Sequence, residues 1–317
     1  MLNRKSDFFV IVIATYNRLA FLKKTIDSIK NQTTKPYEII VADGGSTDGT
    51  IGFLKNRKDI TSVFQGELLG VAKANNLVWR EIQCKYTCWL SDDTIVVNRS
   101  LDLALEILEK EPDIGLVGLK MRDVVGNSRP LVGYGGGISQ FGILNCNHAV
   151  MPFSVLKSVG FFNEDYRSYG VDPDLTASIL CLGKKVVMTK KIGVLHFRPY
   201  AQHENVKEHV RKSNDGISPE SIYREKFSFL QTKGNADFCF KVKRKLLFFL
   251  GNLLSRGGKQ KGMKFLMRQR DWRNISHCQF MTMFELFLNS KKPYHLAQKI
   301  PRSLLKSDSN PYIHFVK

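Results

Sequence analysis

The sequence has no stretch of about 18 uncharged apolar residues, the length a membrane-spanning helix needs. Its apolar run Phe8–Ala14 is about half that length and ends in polar Thr15-Tyr16-Asn17. No signal peptide is visible, so the expectation is a cytoplasmic protein. Cysteine is sparse. The six, Cys84, Cys88, Cys146, Cys181, Cys239 and Cys278, form no C-x-x-C pair. Cys84 and Cys88 also lack a His/Cys partner pair at zinc-finger spacing. A disulfide framework and a zinc ribbon are both excluded, and free thiols in a reducing compartment are expected. There are no internal repeats and no low-complexity tract. What remains is a chain of 317 residues, 43% apolar and 24% charged. That balance is ordinary for a globular protein and excludes collagen-like or mostly disordered chains.

Acidic residues are outnumbered. Asp plus Glu total 29 against 48 Lys plus Arg, a formal net charge of +19. Such a surplus calls for an anionic partner: nucleic acid, a phosphorylated substrate or anionic lipid. The excess is uneven, with residues 219–317 at net +14 and residues 1–218 at +5. We therefore expect a catalytic domain over 1–218 and a basic, mainly helical region over 219–317.

The first half alternates two patterns. Phe8–Ala14, Tyr37–Ala42, Thr61–Gln65, Tyr86–Leu90 and Ile114–Leu119 read as short buried strands. Between them, Arg18–Lys30, Leu69–Ile82 and Leu101–Lys110 carry helical stripes. Ser46 or Thr47 is placed to cap a following helix. This succession predicts an α/β fold with a mainly parallel sheet flanked by helices. Such sheets bind ligands at the carboxyl ends of their strands. The loops at Thr15, Asp43 and Asp92 all follow strands and should meet on one edge. A glycine-rich stretch follows, with Gly133, Gly135, Gly136 and Gly137, read as an acceptor lid or a plain connection. A strand near Ile143–Val150, a helix opened by Pro152 and short strands at Lys185–Met188 and Ile192–Phe197 come next.

Four segments carry the chemistry: Thr15-Tyr16-Asn17-Arg18, Asp43-Gly44-Gly45-Ser46-Thr47-Asp48-Gly49-Thr50, Leu90-Ser91-Asp92-Asp93 and Tyr169-Gly170-Val171-Asp172-Pro173-Asp174-Leu175. Their order and spacing over residues 7–200 resemble glycosyltransferase family 2. The resemblance implies the GT-A fold (Rossmann-like, the nucleotide-diphospho-sugar transferase type) and an inverting enzyme using a nucleotide-sugar donor. It implies that Thr15, Tyr16 and Asn17 line the base, and that Asp43 accepts a hydrogen bond from a base N–H, as on uracil or thymine. Asp92-Asp93 is similar to the family's DxD-type motif, with Ser91 where many members carry an aspartate. By that likeness Asp93 is a direct ligand of Mn2+ or Mg2+, and Asp92 touches sugar or ribose. Such an ion needs only one or two protein carboxylates, because phosphate and water complete its shell. Asp172 matches the family's general base, with Val171 where a Glu usually stands. It would take the acceptor hydroxyl's proton during single displacement. The plainer alternative is a helix-capping aspartate with Pro173 at the first position.

Lys73 opens a helix after Gly70 and could add charge toward a diphosphate, or be a solvated lysine. His196 ends a strand where some family members place a histidine for metal or diphosphate; a structural histidine is the alternative. His148 is a weaker candidate of the same kind. Asn163-Glu164-Asp165 resembles the family's turn that shapes the acceptor pocket.

Residues 238–256 set basic side chains beside Leu246, Leu247, Phe248, Phe249, Leu250, Leu253 and Leu254, and basic residues continue to Arg273. This suits peripheral contact with an anionic membrane, such as the inner face of the cell membrane, or packing on the catalytic domain. No recognised nucleic-acid motif is present. The expected acceptor is a glycan or lipid-linked saccharide, in bacterial surface polysaccharide biosynthesis. Two rivals stand. A sugar nucleotidyltransferase needs a glycine-rich basic loop after the first strand, which Thr15-Tyr16-Asn17-Arg18 lacks. A non-catalytic anion- or lipid-binding protein would rely on the basic tail alone.

Overall fold

A computed structural model describes residues 4–5, 8–124, 143, 145–197, 216, 218–230, 292–300 and 302–316. The glycine-rich stretch from Gly133 and the basic amphipathic segment 238–256, with its extension to Arg273, lie outside the described residues. In chain order the strands are β1 (Arg4–Lys5), β2 (Phe9–Thr15), β3 (Glu38–Asp43), β4 (Thr61–Phe64), β5 (Ile82–Gln83), β6 (Tyr86–Ser91) and β7 (Thr94–Val96). They continue with β8 (Ile114–Gly118), β9 (Met121–Asp123), β10 (Ala149–Pro152), β11 (Lys185–Thr189), β12 (Val194–His196) and β13 (Tyr294–Gln298). The helices are α1 (Leu19–Gln32), α2 (Thr50–Lys55), α3 (Val71–Arg80), α4 (Ser100–Lys110), α5 (Phe153–Ser158), α6 (Val171–Cys181), α7 (Pro219–Phe227) and α8 (Arg302–Leu305).

Eight strands form the main sheet in the order β13-β11-β8-β10-β6-β2-β3-β4. Strands β4, β3, β2 and β6 run parallel, and β11 runs parallel to β8. β10 is antiparallel to both β6 and β8, and β13 is antiparallel to β11. The expected mainly parallel α/β sheet is therefore present. β2 shows why helices cover both faces. Its Phe9, Ile11 and Ile13 pack with Leu22, Ile26 and Ile29 of α1 and with Leu101 and Leu105 of α4. Its Val10 and Val12 point the other way, into a core with Val78 and Trp79 of α3 and Leu175 and Ile179 of α6. A strand apolar on both faces has to be central, and burial of each such side chain contributes about 1.5–3 kcal/mol.

The register fixes the site edge. Thr15 pairs with Asp43 and Ala14 with Ser91, so the three polar loops leave the sheet at one level. A second sheet, β7-β12-β9, crosses beside that edge. There His196 pairs with Thr94, and Phe197 N–H donates to the Asp93 carbonyl at 3.0 Å. Near the end of the chain, residues 292–300 and 302–316 pack back on the body. β13 extends the main sheet, Asn310 donates to the Cys181 carbonyl at 3.1 Å, and Tyr312 OH lies 2.9 Å from Ser178 Oγ. The buried ion pair of Lys226 on α7 with Asp174 on α6, at 2.7 Å, ties α7 to the same helix.

Two local expectations are corrected. Helix α2 starts at Thr50 with Gly49 as its N-cap, so neither Ser46 nor Thr47 caps it. Asp48 does that work, accepting from Thr50 N–H at 3.1 Å and its hydroxyl at 2.6 Å. Helix α6 has Gly170 as its N-cap and starts at Val171, with Pro173 in its third position and no side-chain cap. Asp172 therefore does not cap it. Gly170 is required there: at φ 104° an added Cβ would sit 2.3 Å from the Tyr166 ring. The four described cysteines, Cys84, Cys88, Cys146 and Cys181, are free thiols as expected. Burial pushes the Cys84 and Cys181 thiols up to about 12, where they are unreactive.

Candidate active site

The site is built at the carboxyl ends of β2, β3 and β6. Thr15 ends β2, and its hydroxyl donates to Asp92 Oδ2 at 2.8 Å. Asn17 follows with φ 51°, a left-handed conformation that asparagine tolerates. It clasps the β3 loop: its N–H donates to Ser46 Oγ at 2.9 Å, and its Oδ1 accepts from Thr47 N–H at 2.7 Å. Asn17 thus holds two loops together, while Tyr16 beside it is 41% exposed, its ring open to a stacking partner.

Asp43 is completely buried at the end of β3. Its Oδ1 accepts from Gly45 N–H at 3.0 Å and Ser46 N–H at 2.9 Å. This is the loop turn expected of an aspartate before two glycines. Its second oxygen, Oδ2, is buried with no hydrogen-bond partner among the described residues. A carboxylate so oriented can still accept an N–H from outside the chain.

Asp92 and Asp93 leave β6 with side chains only 6% and 3% exposed. One guanidinium nitrogen of Arg18, Nη1, lies 3.0 Å from Asp92 Oδ1 and 3.3 Å from Asp93 Oδ2. Burial raises the Asp92 carboxyl to about 6; Arg18 opposes this, Asp93 adds to it, and Thr15 opposes it again. Asp93 ends on the other side. Burial pushes it up, but His196, Arg18 and His148 together hold it below the ordinary carboxylate value. His196 Nε2 lies 3.3 Å from Asp93 Oδ1, and the His148 ring stands edge-on to His196 at 5.6 Å.

Asp172 reaches the same place from α6. Its carboxylate accepts a hydrogen bond from the Trp89 indole, and His196 acts on it electrostatically. Burial nonetheless dominates and raises it to about 7. The first turn of α6 is fixed from behind: Thr176 Oγ1 donates to the Asp172 carbonyl at 2.8 Å. His196 therefore faces both Asp93 and Asp172, and the three acidic groups converge on one edge.

Not every candidate joins them. Lys73 is exposed in the first turn of α3. The Asn163-Glu164-Asp165 turn is tied to α3: Asn76 donates to Glu164 at 2.8 Å and to the Phe162 carbonyl at 2.9 Å, and Arg80 pairs with Glu164 at 2.6 Å. Two residues of the site were given no role from the sequence. Arg18 lies in one of the four segments, a basic side chain in a strand-end loop. Trp89 had no signal, because a tryptophan inside an apolar strand looks like core.

The donor set suits a hard divalent cation: two adjacent carboxylates with an imidazole beside them. Among the described residues no group of three or more His, Cys, Asp or Glu side chains is set to hold a metal alone. An ion there would need oxygens from outside the chain, and a diphosphate has them.

Residues 10–153 match the family model described as glycosyl transferase family 2. That match covers 144 of the 317 residues, a little under half of the chain. Among the proteins the chain is similar to, the Escherichia coli protein named UDP-Glc:alpha-D-GlcNAc-diphosphoundecaprenol beta-1,3-glucosyltransferase WfaP is 26% identical over 64% of this chain and 83% of its own length. The chain spans only 15% to 58% of the length of several uncharacterized Rickettsia glycosyltransferases, the Rickettsia bellii one being 33% identical over 32% of this chain. The fold is that of Staphylococcus aureus TarS residues 1–349, solved with UDP-GlcNAc, at TM-score 0.55 and 15% identity over 94% of this chain and 82% of that one. It is also that of mannosyltransferase PcManGT from Pyrobaculum calidifontis, solved with GDP-Man and Mn2+. There the TM-score is 0.51 at 18% identity, over 90% and 88% of the two chains. The sheet of this chain is accordingly a GT-A sheet.

Proposed function

We propose that this chain is an inverting, metal-dependent glycosyltransferase of family 2. It moves a sugar from a uridine- or thymidine-diphosphate donor to a hydroxyl of a glycan or lipid-linked saccharide. The observation that carries this is the convergence of three carboxylates on one sheet edge: Arg18 joins Asp92 to Asp93, and His196 faces both Asp93 and Asp172. The uridine-linked donor in the WfaP name supports the nucleotide, and its diphosphoundecaprenol acceptor supports a lipid-linked saccharide in surface polysaccharide assembly. A membrane-surface acceptor also suits the net +14 of residues 219–317, the basic region, against +5 for the catalytic domain over 1–218. Among the described residues no helix is long and apolar enough to cross a membrane.

The residues divide the work. Tyr16 stacks on the base, and Asp43 Oδ2 accepts its N–H. Asp93, with His196 beside it, would hold Mn2+ or Mg2+, which when bound would neutralise charge on the leaving diphosphate. Thr15 fixes Asp92 at the sugar side. Asp172 takes the proton of the attacking hydroxyl. A carboxyl near 7 is ionised often enough to accept a proton and basic enough to hold it. The Trp89 hydrogen bond holds that carboxylate in one orientation. The test is nucleotide release from a donor panel with Mn2+ and a saccharide acceptor. Asp93→Ala and Asp172→Asn should each lower transfer by about 100-fold or more. Full activity in both would refute the assignment.

A further inference from the structure

The carboxylate proposed to hold the metal, Asp93, and its neighbour Asp92 are already paired with a cation of the chain's own. A single nitrogen, Arg18 Nη1, takes one oxygen from each, Asp92 Oδ1 at 3.0 Å and Asp93 Oδ2 at 3.3 Å. Asp92's remaining oxygen accepts from the Thr15 hydroxyl, and Asp93's remaining oxygen faces His196 Nε2. The place between the carboxylates therefore belongs to Arg18. A second cation cannot share it, by space and by like-charge repulsion.

The arrangement also says which partner moves. The carboxylates are buried on a rigid strand end, whereas the Arg18 side chain is 37% exposed. The Arg18 backbone is fixed as the N-cap of α1, its carbonyl accepting from Phe21 and Leu22 N–H at 3.0 and 2.9 Å. A long side chain on a fixed backbone can swing without disturbing the fold. Without Arg18, two adjacent buried carboxylates would repel each other, so the guanidinium keeps the empty site stable. A diphosphate arriving at this edge offers a guanidinium a better partner, since phosphate oxygens accept its fork of donors.

We propose that Arg18 is a resident competitor for the divalent cation, closing the Asp92–Asp93 site until a diphosphate draws the guanidinium away. Metal and nucleotide then bind with positive coupling, each strengthening the other by the same factor. The diphosphate half of this rests on the proposed glycosyltransferase reading; the competition between Arg18 and the cation does not.

The test is Mn2+ retention by the full chain on ultrafiltration at pH 8, after stripping with EDTA, with and without saturating UDP. Three proteins are compared: wild type, Arg18→Met and Arg18→Lys, each checked for fold by circular dichroism. Without nucleotide, Arg18→Met should bind Mn2+ about tenfold more tightly than wild type, and the gain on adding UDP should shrink by the same factor, within the range of coupling such sites show. Arg18→Lys, which keeps the charge, should stay near wild type. If Arg18→Met does not fold, Arg18→Gln carries the same expectation. Equal or weaker nucleotide-free Mn2+ binding in the folded neutral variant overturns the proposal and leaves the glycosyltransferase reading intact. Tighter binding in that variant with no effect of UDP on any of the three upholds Arg18 as competitor and counts against a nucleotide donor.

Discussion

Asp172 gives a prediction that needs no substrate. In the metal-free protein, burial lifts its carboxyl from 3.8 to about 7, against the smaller opposing effects of His196 and Trp89. An unfolded chain has no such burial. The folded protein therefore keeps a proton that the unfolded chain has already released. Below about pH 4 both states are protonated and the site is neutral in the balance. Between about pH 4 and pH 7 unfolding releases that proton, so stability falls as pH rises; above about pH 7 both states are ionised and the loss is complete. A gap of about 3 pH units at about 1.4 kcal/mol each sets a ceiling of about 4 kcal/mol. Asp172 keeps partial solvent contact, so the realised effect should be about 1–3 kcal/mol. Asp172→Asn is permanently neutral and escapes the penalty. Urea unfolding of both proteins in EDTA, from pH 4.5 to 8, gives the difference free of the other carboxylates. The variant should gain about 1–3 kcal/mol on wild type across that range while losing about 100-fold or more in transfer. A difference that stays flat with pH would refute the buried, uncompensated carboxylate.

Three further outcomes follow from particular contacts. Asp102 accepts from Thr34 and Lys35 N–H at 3.1 Å, from the Thr34 hydroxyl at 2.8 Å and from Arg99 at 3.0 Å, locking α4 to the chain after α1. Burial raises its carboxyl, but these donors outweigh that and lower it. Asp102→Asn should therefore cost about 2 kcal/mol at pH 7 in urea unfolding, a cost that disappears as pH falls through the depressed folded value. Gly170→Ala has to strain φ and displace the Tyr166 ring; the melting temperature should drop, and Asp172-dependent transfer should fall more than UDP binding does. Asp43→Asn keeps an oxygen for Gly45 and Ser46 but turns an amide N–H2 toward the base. Calorimetry should show UDP binding weakened about tenfold with the melting temperature nearly unchanged.

Much of this protein was legible in one dimension. The β-branched runs ending in Thr15, Asp43 and Ser91 could be placed in a parallel sheet because such strands must be apolar on both faces. Their loops then had to share an edge, because parallel strands all end in the same direction. Capping was less legible. Thr50 is capped by Asp48 and Asp172 by nothing, because the choice turned on where Gly49 and Gly170 adopt positive φ.

The residue types that can do this chemistry, and the strand ends that carry them, were determined by the sequence alone, since periodicity and polarity act over neighbouring residues. What each carboxylate faces was decided only by the tertiary structure. Arg18 reaches Asp92 across 74 residues, and Trp89 reaches Asp172 from a strand whose pattern says only core. Burial and opposite charge set those carboxyls apart, at about 6 for Asp92 and about 7 for Asp172, with Asp93 held low. Both influences depend on distances through space, which no spacing along the chain encodes.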